Sequence, residues 1–259
     1  MKILVCVKQV PESEAPISID EETGWVQIDG SPEYRMNRFD ECAVEEAVLI
    51  KEALPGTVVD VITVGPERVE AVVRRAMGMG ADNGAHILTV ESGYVDAFMT
   101  AGAIAAYAKE KQYDLILAGA MSEDLMQGQV GPIVAAHLDI ACMTSTVYTK
   151  LSADAKKIYV EREVEGGCRE VGDIKLPALL TIQTGINTPR YPALSKLLRA
   201  NNRELAVVAA DASDPASWPQ KLAGVALPEK TRDAVFLSGT AAKKAEQLLV
   251  ILKERSLIA

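Results

Sequence analysis

The chain has 259 residues, 49% apolar and 24% charged, the mix of an ordinary globular protein, which excludes a disordered, collagen-like or small disulfide-scaffold chain. Lys and Arg number 27 against 36 Asp and Glu, and the formal charge of −9 argues against a general nucleic-acid binder. Two Trp, seven Tyr and three Phe are too few to build a core, which falls to Val, Ile, Leu and Ala.

Ile3 to Val7 is a continuous apolar run, the pattern of a strand buried on both faces. It is too short for a signal-peptide core, and no stretch approaches the ~18 apolar residues of a membrane span, so a cytoplasmic chain without membrane insertion is expected. Pro11 ends this strand, and residues 12–36 are polar, with Trp25-Val26-Gln27-Ile28 alternating like a small exposed strand. A helix is predicted from Asp40 as N-cap, with Ala43, Ala47, Ile50 and Leu54 on one stripe, and Pro55-Gly56 stops it. Thr57 to Val64 reads as a strand. Pro66 suits the first turn of a helix carrying Val69, Val72, Val73 and Ala76, which Gly80 closes. Ile87 to Val90 is a strand, 94–111 an Ala-rich helix and Asp114 to Ala118 a strand; a further helix begins between Gln127 and Pro132. This alternation predicts an α/β fold with an open, mainly parallel, doubly wound sheet.

After residue 140 the pattern turns to strands at 141–149, 157–164, 168–174 and 177–183, the second and third joined through Glu165-Gly166-Gly167. A Pro-rich segment leads to a short basic helix and a late strand from Arg203 to Ala210. Residues 211–235 read as a linker. The helix over 240–256 has Ala241, Ala245, Leu248, Leu249 and Leu252 on one face, which packs either on its own domain or on a partner. The expected division is 1–210 and 211–259.

Cys6, Cys42, Cys142 and Cys168 form no C-x-x-C pair and read as small buried hydrophobes in a reducing compartment. His86 and His137 have no metal-ligand spacing and no nucleophile elbow to serve, so each is expected at a helix or strand end. Ligands of open α/β sheets bind where strands end and helices begin. Three such junctions occur: Cys6-Val7-Lys8, Val64-Gly65-Pro66 and Gly119 to Val130. In the third, Gly119, Gly128 and Gly131 permit close backbone approach, and Ser122 and Gln129 can donate hydrogen bonds. Glu123 and Asp124 would repel a phosphate unless they point away or bind ribose hydroxyls. The loop is thus either a phosphate cradle or an ordinary solvated connection; neither G-x-G-x-x-G nor a Walker A sequence is present.

The stretches Val160-Glu161-Arg162-Glu163-Val164-Glu165-Gly166-Gly167, Leu176-Pro177-Ala178-Leu179-Leu180-Thr181 and Asn187-Thr188-Pro189-Arg190-Tyr191-Pro192 resemble the signature of the electron transfer flavoprotein β subunit family. Val5-Cys6-Val7-Lys8, Met36-Asn37-Arg38-Phe39-Asp40, Met79-Gly80-Ala81-Asp82 and Gln129-Val130-Gly131-Pro132 extend the resemblance over essentially the whole chain. It implies a Rossmann-like domain paired with a larger α subunit, and one FAD held mostly by α. Electrons come from acyl-CoA dehydrogenase-type flavoenzymes and leave to a quinone-linked oxidoreductase. In the common branch the β subunit buries an AMP and has no catalytic residue. Carried onto this chain, the nucleotide contacts are Cys6, Asn37, Arg38, Phe39, Asp40, Val64, Gly119, Ala120, Met121, Ser122, Glu123, Asp124, Leu125, Met126, Gln127, Gly128, Gln129 and Val130.

In an electron-bifurcating branch a second FAD replaces AMP and NADH supplies hydride. Cys6-Val7-Lys8-Gln9-Val10-Pro11 and Gln129-Val130-Gly131-Pro132 look like that branch, whereas the signature from Glu161 to Gly167 looks like the AMP branch. Met121, Leu125 and Met126 depart from both, where polar and acidic residues are usual. A free-standing adenine-nucleotide-binding regulator is the third alternative.

The resemblance also implies a partner-recognition loop near 187–202, anchored by Leu194 and including Arg190, Tyr191, Lys196 and Arg199, with Glu163 positioning the mobile flavin domain. Residues 186–203 hold Arg190, Lys196, Arg199 and Arg203 and no Asp or Glu, a basic patch suited to steering an acidic partner surface. Read from the residues alone, Leu194, Leu197 and Leu198 are expected in the core as one face of an amphipathic helix, and Glu161 and Glu163 could pair with Arg162 or Arg169 across strands. The family's paired lysines after this helix are Asn201 and Asn202 here.

Overall fold

The computed structural model describes residues 1–28, 30, 32–89, 94–209, 223–228 and 234–258. In chain order the elements are β1 (Lys2–Cys6), β2 (Gln9–Pro11), β3 (Ile17–Ile19), β4 (Val26–Ile28), β5 (Tyr34–Met36), α1 (Arg38–Ala53), β6 (Val58–Gly65), α2 (Glu70–Met79), β7 (Asn83–Leu88), α3 (Ala97–Lys109), β8 (Leu115–Gly119), α4 (Val130–Leu138), β9 (Ala141–Leu151), β10 (Lys157–Glu163), β11 (Arg169–Lys175), β12 (Ala178–Ile182), α5 (Leu194–Asn201), β13 (Ala206–Ala209) and α6 (Ala241–Glu254). The chain divides into two units, Met1–Val225 and Ala226–Ala259.

Among the described residues nine strands form one sheet in the order β11-β10-β9-β12-β8-β1-β6-β7-β13. Pairing is parallel from β9 across to β13, while β10 is antiparallel to both β9 and β11. The fold is therefore the expected Rossmann-like, doubly wound, mainly parallel sheet. The chain winds outward from β1 through β6 and β7, then returns to the other side of β1 with β8.

Alternation along β1 builds the two layers. Ile3, Val5 and Val7 pack with α1 and α2 residues such as Val44, Ala47, Val73 and Ala76. Leu4 and Cys6 pack with α3 and α4 residues such as Ala101, Ile104 and Val134. Each fully buried Ile or Leu contributes about 1.5–3 kcal/mol of burial free energy, so the runs legible in the sequence are also the main source of stability. Gly131 lets α4 lie close on β12, where a Cβ would come 2.6 Å from Thr181 Cγ2. At the β11 edge, strand-facing charges pair: Arg169 with Glu161 at 2.9 Å and Arg162 with Glu170 at 3.1 Å. The C-terminal unit holds α6, capped by the Thr240 hydroxyl; none of its described residues is buried. No helix among the described residues is long and apolar enough to cross a membrane.

Several expectations need correction. The helix cap is Asn37 rather than Asp40, which lies buried inside the first turn of α1. Pro66 precedes a 3-10 turn over Glu67–Val69 instead of entering α2 directly. β7 starts four residues early, at Asn83, because parallel pairing with β6 overrides the turn-like Asn83-Gly84; Val90 lies outside the described residues. The Ala-rich helix begins at Ala97, since the Asp96 carboxylate accepts from Phe98 N–H. β2, β3 and β5 have only three residues each, too few to show a period. His86 lies within β7 rather than at its end, buried, with Nε2 2.8 Å from the Gly65 carbonyl oxygen. Cys142 and Cys168 are exposed, against the expectation of burial; Cys6 and Cys42 are buried. Ala210 and most of the predicted linker lie outside the described residues.

The close contact of α2 with β7 gives a test. A Cβ at Gly84 would come 2.5 Å from Val73 Cγ1 and 2.6 Å from Leu205 Cδ2. Gly84→Ala should lower stability by about 1–3 kcal/mol through overpacking, read as a lower urea midpoint at unchanged slope.

Candidate functional site

The sheet reverses its winding between β1 and β8, and the crevice at the C-terminal ends of these strands is where open α/β sheets hold ligands. The first turn of α1 closes its floor. Asp40 Oδ2 accepts from Lys8 N–H at 2.7 Å and Oδ1 from Gly119 N–H at 3.0 Å, so one carboxylate ties the end of β1 to the end of β8. Gly119 permits this approach: a Cβ there would collide with the Asp40 carboxylate and come 2.7 Å from Phe39 Cβ. Burial pushes the Asp40 carboxyl up to about 7, against the pull of its hydrogen-bond donors and of Lys8. Burial and Asp40 together push the neighbouring Cys6 thiol up to about 12, so it stays protonated and is a poor nucleophile.

The loop from Ala120 to Gln129 forms the facing wall. Ala120 N–H donates to the Ile182 carbonyl at 2.8 Å. Asn37, buried, donates from Nδ2 to the Met121 carbonyl at 2.9 Å and accepts Glu123 N–H at 3.2 Å. The two acidic residues of the loop are both taken up in ion pairs. Glu123 accepts from Arg35 at 2.8 and 3.0 Å and from Arg38 N–H at 3.1 Å, setting a carboxylate on the N-terminus of α1. These donors hold Glu123 below the usual carboxylate range despite its partial burial. Asp124 pairs with Lys8 Nζ at 2.6 Å, and the same ammonium lies 3.3 Å from Ser122 Oγ. Leu125 N–H donates to Asp124; Met126 is exposed with φ 53°, and Gln127 is exposed beside Gly128.

Gln129 is the N-cap of α4, whose first turn begins with Val130. The N–H groups of a first turn lack intrahelical acceptors and favour an anion. Val64, partly buried near the end of β6, stands on the neighbouring strand. The structure thus gathers Asn37 to Asp40, Gly119 to Val130 and Cys6 around one crevice, with Val64 beside it. Lys8 and Arg35 are the additions. Lys8 stood only as part of a junction in the sequence, and Arg35 gave no signal, because its role depends on a pairing 88 residues away.

The recognition segment lies apart from this crevice. Tyr191, Leu194 and Leu198 are exposed, at 83%, 72% and 56%, so Leu194 and Leu198 do not face the core. Leu197 turns inward, against Gly78. Lys196 and Arg199 are exposed on α5, whereas Arg190 is turned into α1, where Glu45 and Glu52 take up its guanidinium and hold it strongly protonated. The basic segment therefore displays fewer cations than its composition suggests. Glu163 is exposed at the end of β10.

A family model described as the electron transfer flavoprotein domain matches residues 24–215. The chain is 34% identical to the electron transfer flavoprotein subunit beta of Bacillus subtilis, covering 99% of both chains. It is 32% identical to that of Sus scrofa, over 91% of this chain and 95% of the other. It is 36% identical to the caffeyl-CoA reductase-Etf complex subunit CarD of Acetobacterium woodii, over 80% and 78%.

Asp40→Ala would leave Lys8 N–H and Gly119 N–H without their acceptor, at a cost of about 2–5 kcal/mol. The pH dependence has a definite sign. A carboxyl raised on folding to about 7 binds its proton more tightly in the folded state, so its stabilising effect falls as pH rises from about 4 to about 7. Urea unfolding at several pH values should show this slope in the parent and its loss in Asp40→Ala.

Proposed function

The chain belongs to the electron transfer flavoprotein β subunit family, and on that premise we propose that it is the adenine-nucleotide-binding and docking half of a cytoplasmic heterodimer with a larger α subunit. The observation that supports the nucleotide site is the charge arrangement at the switch point. Glu123 and Asp124 are consumed by Arg35, Arg38 N–H and Lys8, so no free carboxylate of this loop opposes an anion at the first turn of α4. A phosphate group fits there.

In this reading AMP is held by the segment from Gly119 to Val130, by Asn37 to Asp40, and by the strand ends at Cys6 and Val64. The bound AMP is structural. FAD, held mostly by the α subunit, supplies the one- and two-electron chemistry. The residues of this chain bind, orient and exclude water; the complex as a whole carries electrons between proteins, and this chain does not act as a free-standing enzyme. Leu194 and Tyr191, with Lys196 and Arg199, present the face to an acyl-CoA dehydrogenase-type donor. Glu163 contacts the flavin-bearing part of the α subunit, and α6 docks on that subunit. Electrons leave to a quinone-linked oxidoreductase.

A second FAD in place of AMP, with NADH as hydride donor, is the alternative. The stretches Cys6-Val7-Lys8-Gln9-Val10-Pro11 and Gln129-Val130-Gly131-Pro132, which look like the bifurcating branch, favour it. Denaturing the purified heterodimer and separating its nucleotides should yield one FAD and one AMP; two FADs would establish the alternative. Leu194→Ala should slow flavin reduction by the dehydrogenase about tenfold or more, as loss of an interface anchor does, with FAD content intact. An unchanged rate in a stopped-flow experiment would remove the anchor role.

A further inference from the structure

The segment that displays Leu194 is held down by an unusual amount of charge. Arg190 N–H donates to Glu45 at 3.0 Å, Arg190 Nε to both Glu45 oxygens at 3.1 and 2.9 Å, and Nη2 to Glu45 at 2.9 Å. Nη1 and Nη2 also donate to Glu52 at 2.6 and 3.1 Å. The Glu45 side chain is only 6% exposed. Next to it, Asn187 Nδ2 donates to the Cys42 carbonyl and to Glu46, each at 3.0 Å. The far end of the segment is also tied, since Arg74 donates to the carbonyls of Ala200, Asn201 and Arg203. Between the two ties stand Tyr191, Leu194 and Leu198, all exposed.

A nearly buried carboxylate paired with a guanidinium loses much of its Coulombic gain to desolvation, so stability alone is a weak reason for the pair. What it supplies is direction. Glu45 sits on a helix fixed against the sheet, and its contacts reach both the backbone N–H and the side chain of one loop residue. We propose that Glu45 is the positioning residue of the docking face: through Arg190 it sets the path of residues 187–193, so that a partner meets Leu194 and its apolar neighbours already in place. This rests on the docking role proposed above for Leu194. An interface whose anchor is fixed beforehand loses less freedom on binding, so removing the clamp weakens association and leaves the electron-transfer step alone.

The intact heterodimer tests this, with flavin reduction by a purified acyl-CoA dehydrogenase followed against heterodimer concentration. Glu45→Gln should raise KM about tenfold, change kcat less than twofold and leave FAD content unchanged. In a Leu194→Ala background the same substitution should change KM less than twofold, because the anchor it positions is gone. An unchanged KM in Glu45→Gln, or the full separate factor in the double variant, overturns the proposal. A normal rate in Leu194→Ala alone overturns instead the docking reading beneath it. Should Glu45→Gln fail to assemble, Glu45→Asp, which keeps the charge and draws the carboxylate back from Arg190, is held to the same criteria.

Discussion

At the point where the winding reverses, a single carboxylate joins the two strands on either side of the reversal. Where β1 and β8 end, the backbone N–H groups of Lys8 and Gly119 both donate to Asp40. The consequences spread outward from that bridge. It requires a glycine at 119 and brings the first turn of α1 down onto the strand ends. It places Asn37 where its amide can hold the opposite loop at Met121 and Glu123. A site built on such a bridge is shaped before any ligand arrives, which is the condition for low-cost recognition.

The same helix serves the other end of the molecule. Its first turn floors the crevice; from Cys42 to Glu52 it supplies the carbonyl and carboxylates that grip Asn187 and Arg190. Some of the acidic residues do structural work of this kind. Glu45, Glu46, Glu123 and Asp124 all hold another segment in place.

The sequence revealed what depends on local pattern and hid what depends on distant pairing. Buried runs such as Ile3 to Val7 announce a parallel strand because both faces must be apolar, and Gly80 marks its helix end by its backbone alone. The positions Asn37 to Asp40 and Gly119 to Val130 could be marked as neighbours of one crevice from the resemblance and the strand-end rule. Their roles could not. Asp40 has every property of an N-cap, and only the closeness of Gly119 makes it a bridge. Arg190 reads as a displayed cation until Glu45, 145 residues earlier, is seen beneath it. Glu123 and Asp124 looked hostile to an anion because the sequence does not show Arg35 and Lys8 opposite them.

The β11 edge has a bearing on crowding. An outermost strand offers a row of backbone donors and acceptors that a strand from any other molecule could copy. Here that strand reads Arg169-Glu170-Val171-Gly172-Asp173-Ile174-Lys175, mostly exposed, with charges of both signs partly tied to β10. An incoming strand would have to strip water from those charges and meet their mixture in the correct register. That end of the sheet is thereby a poor template for a strand from another copy of the chain.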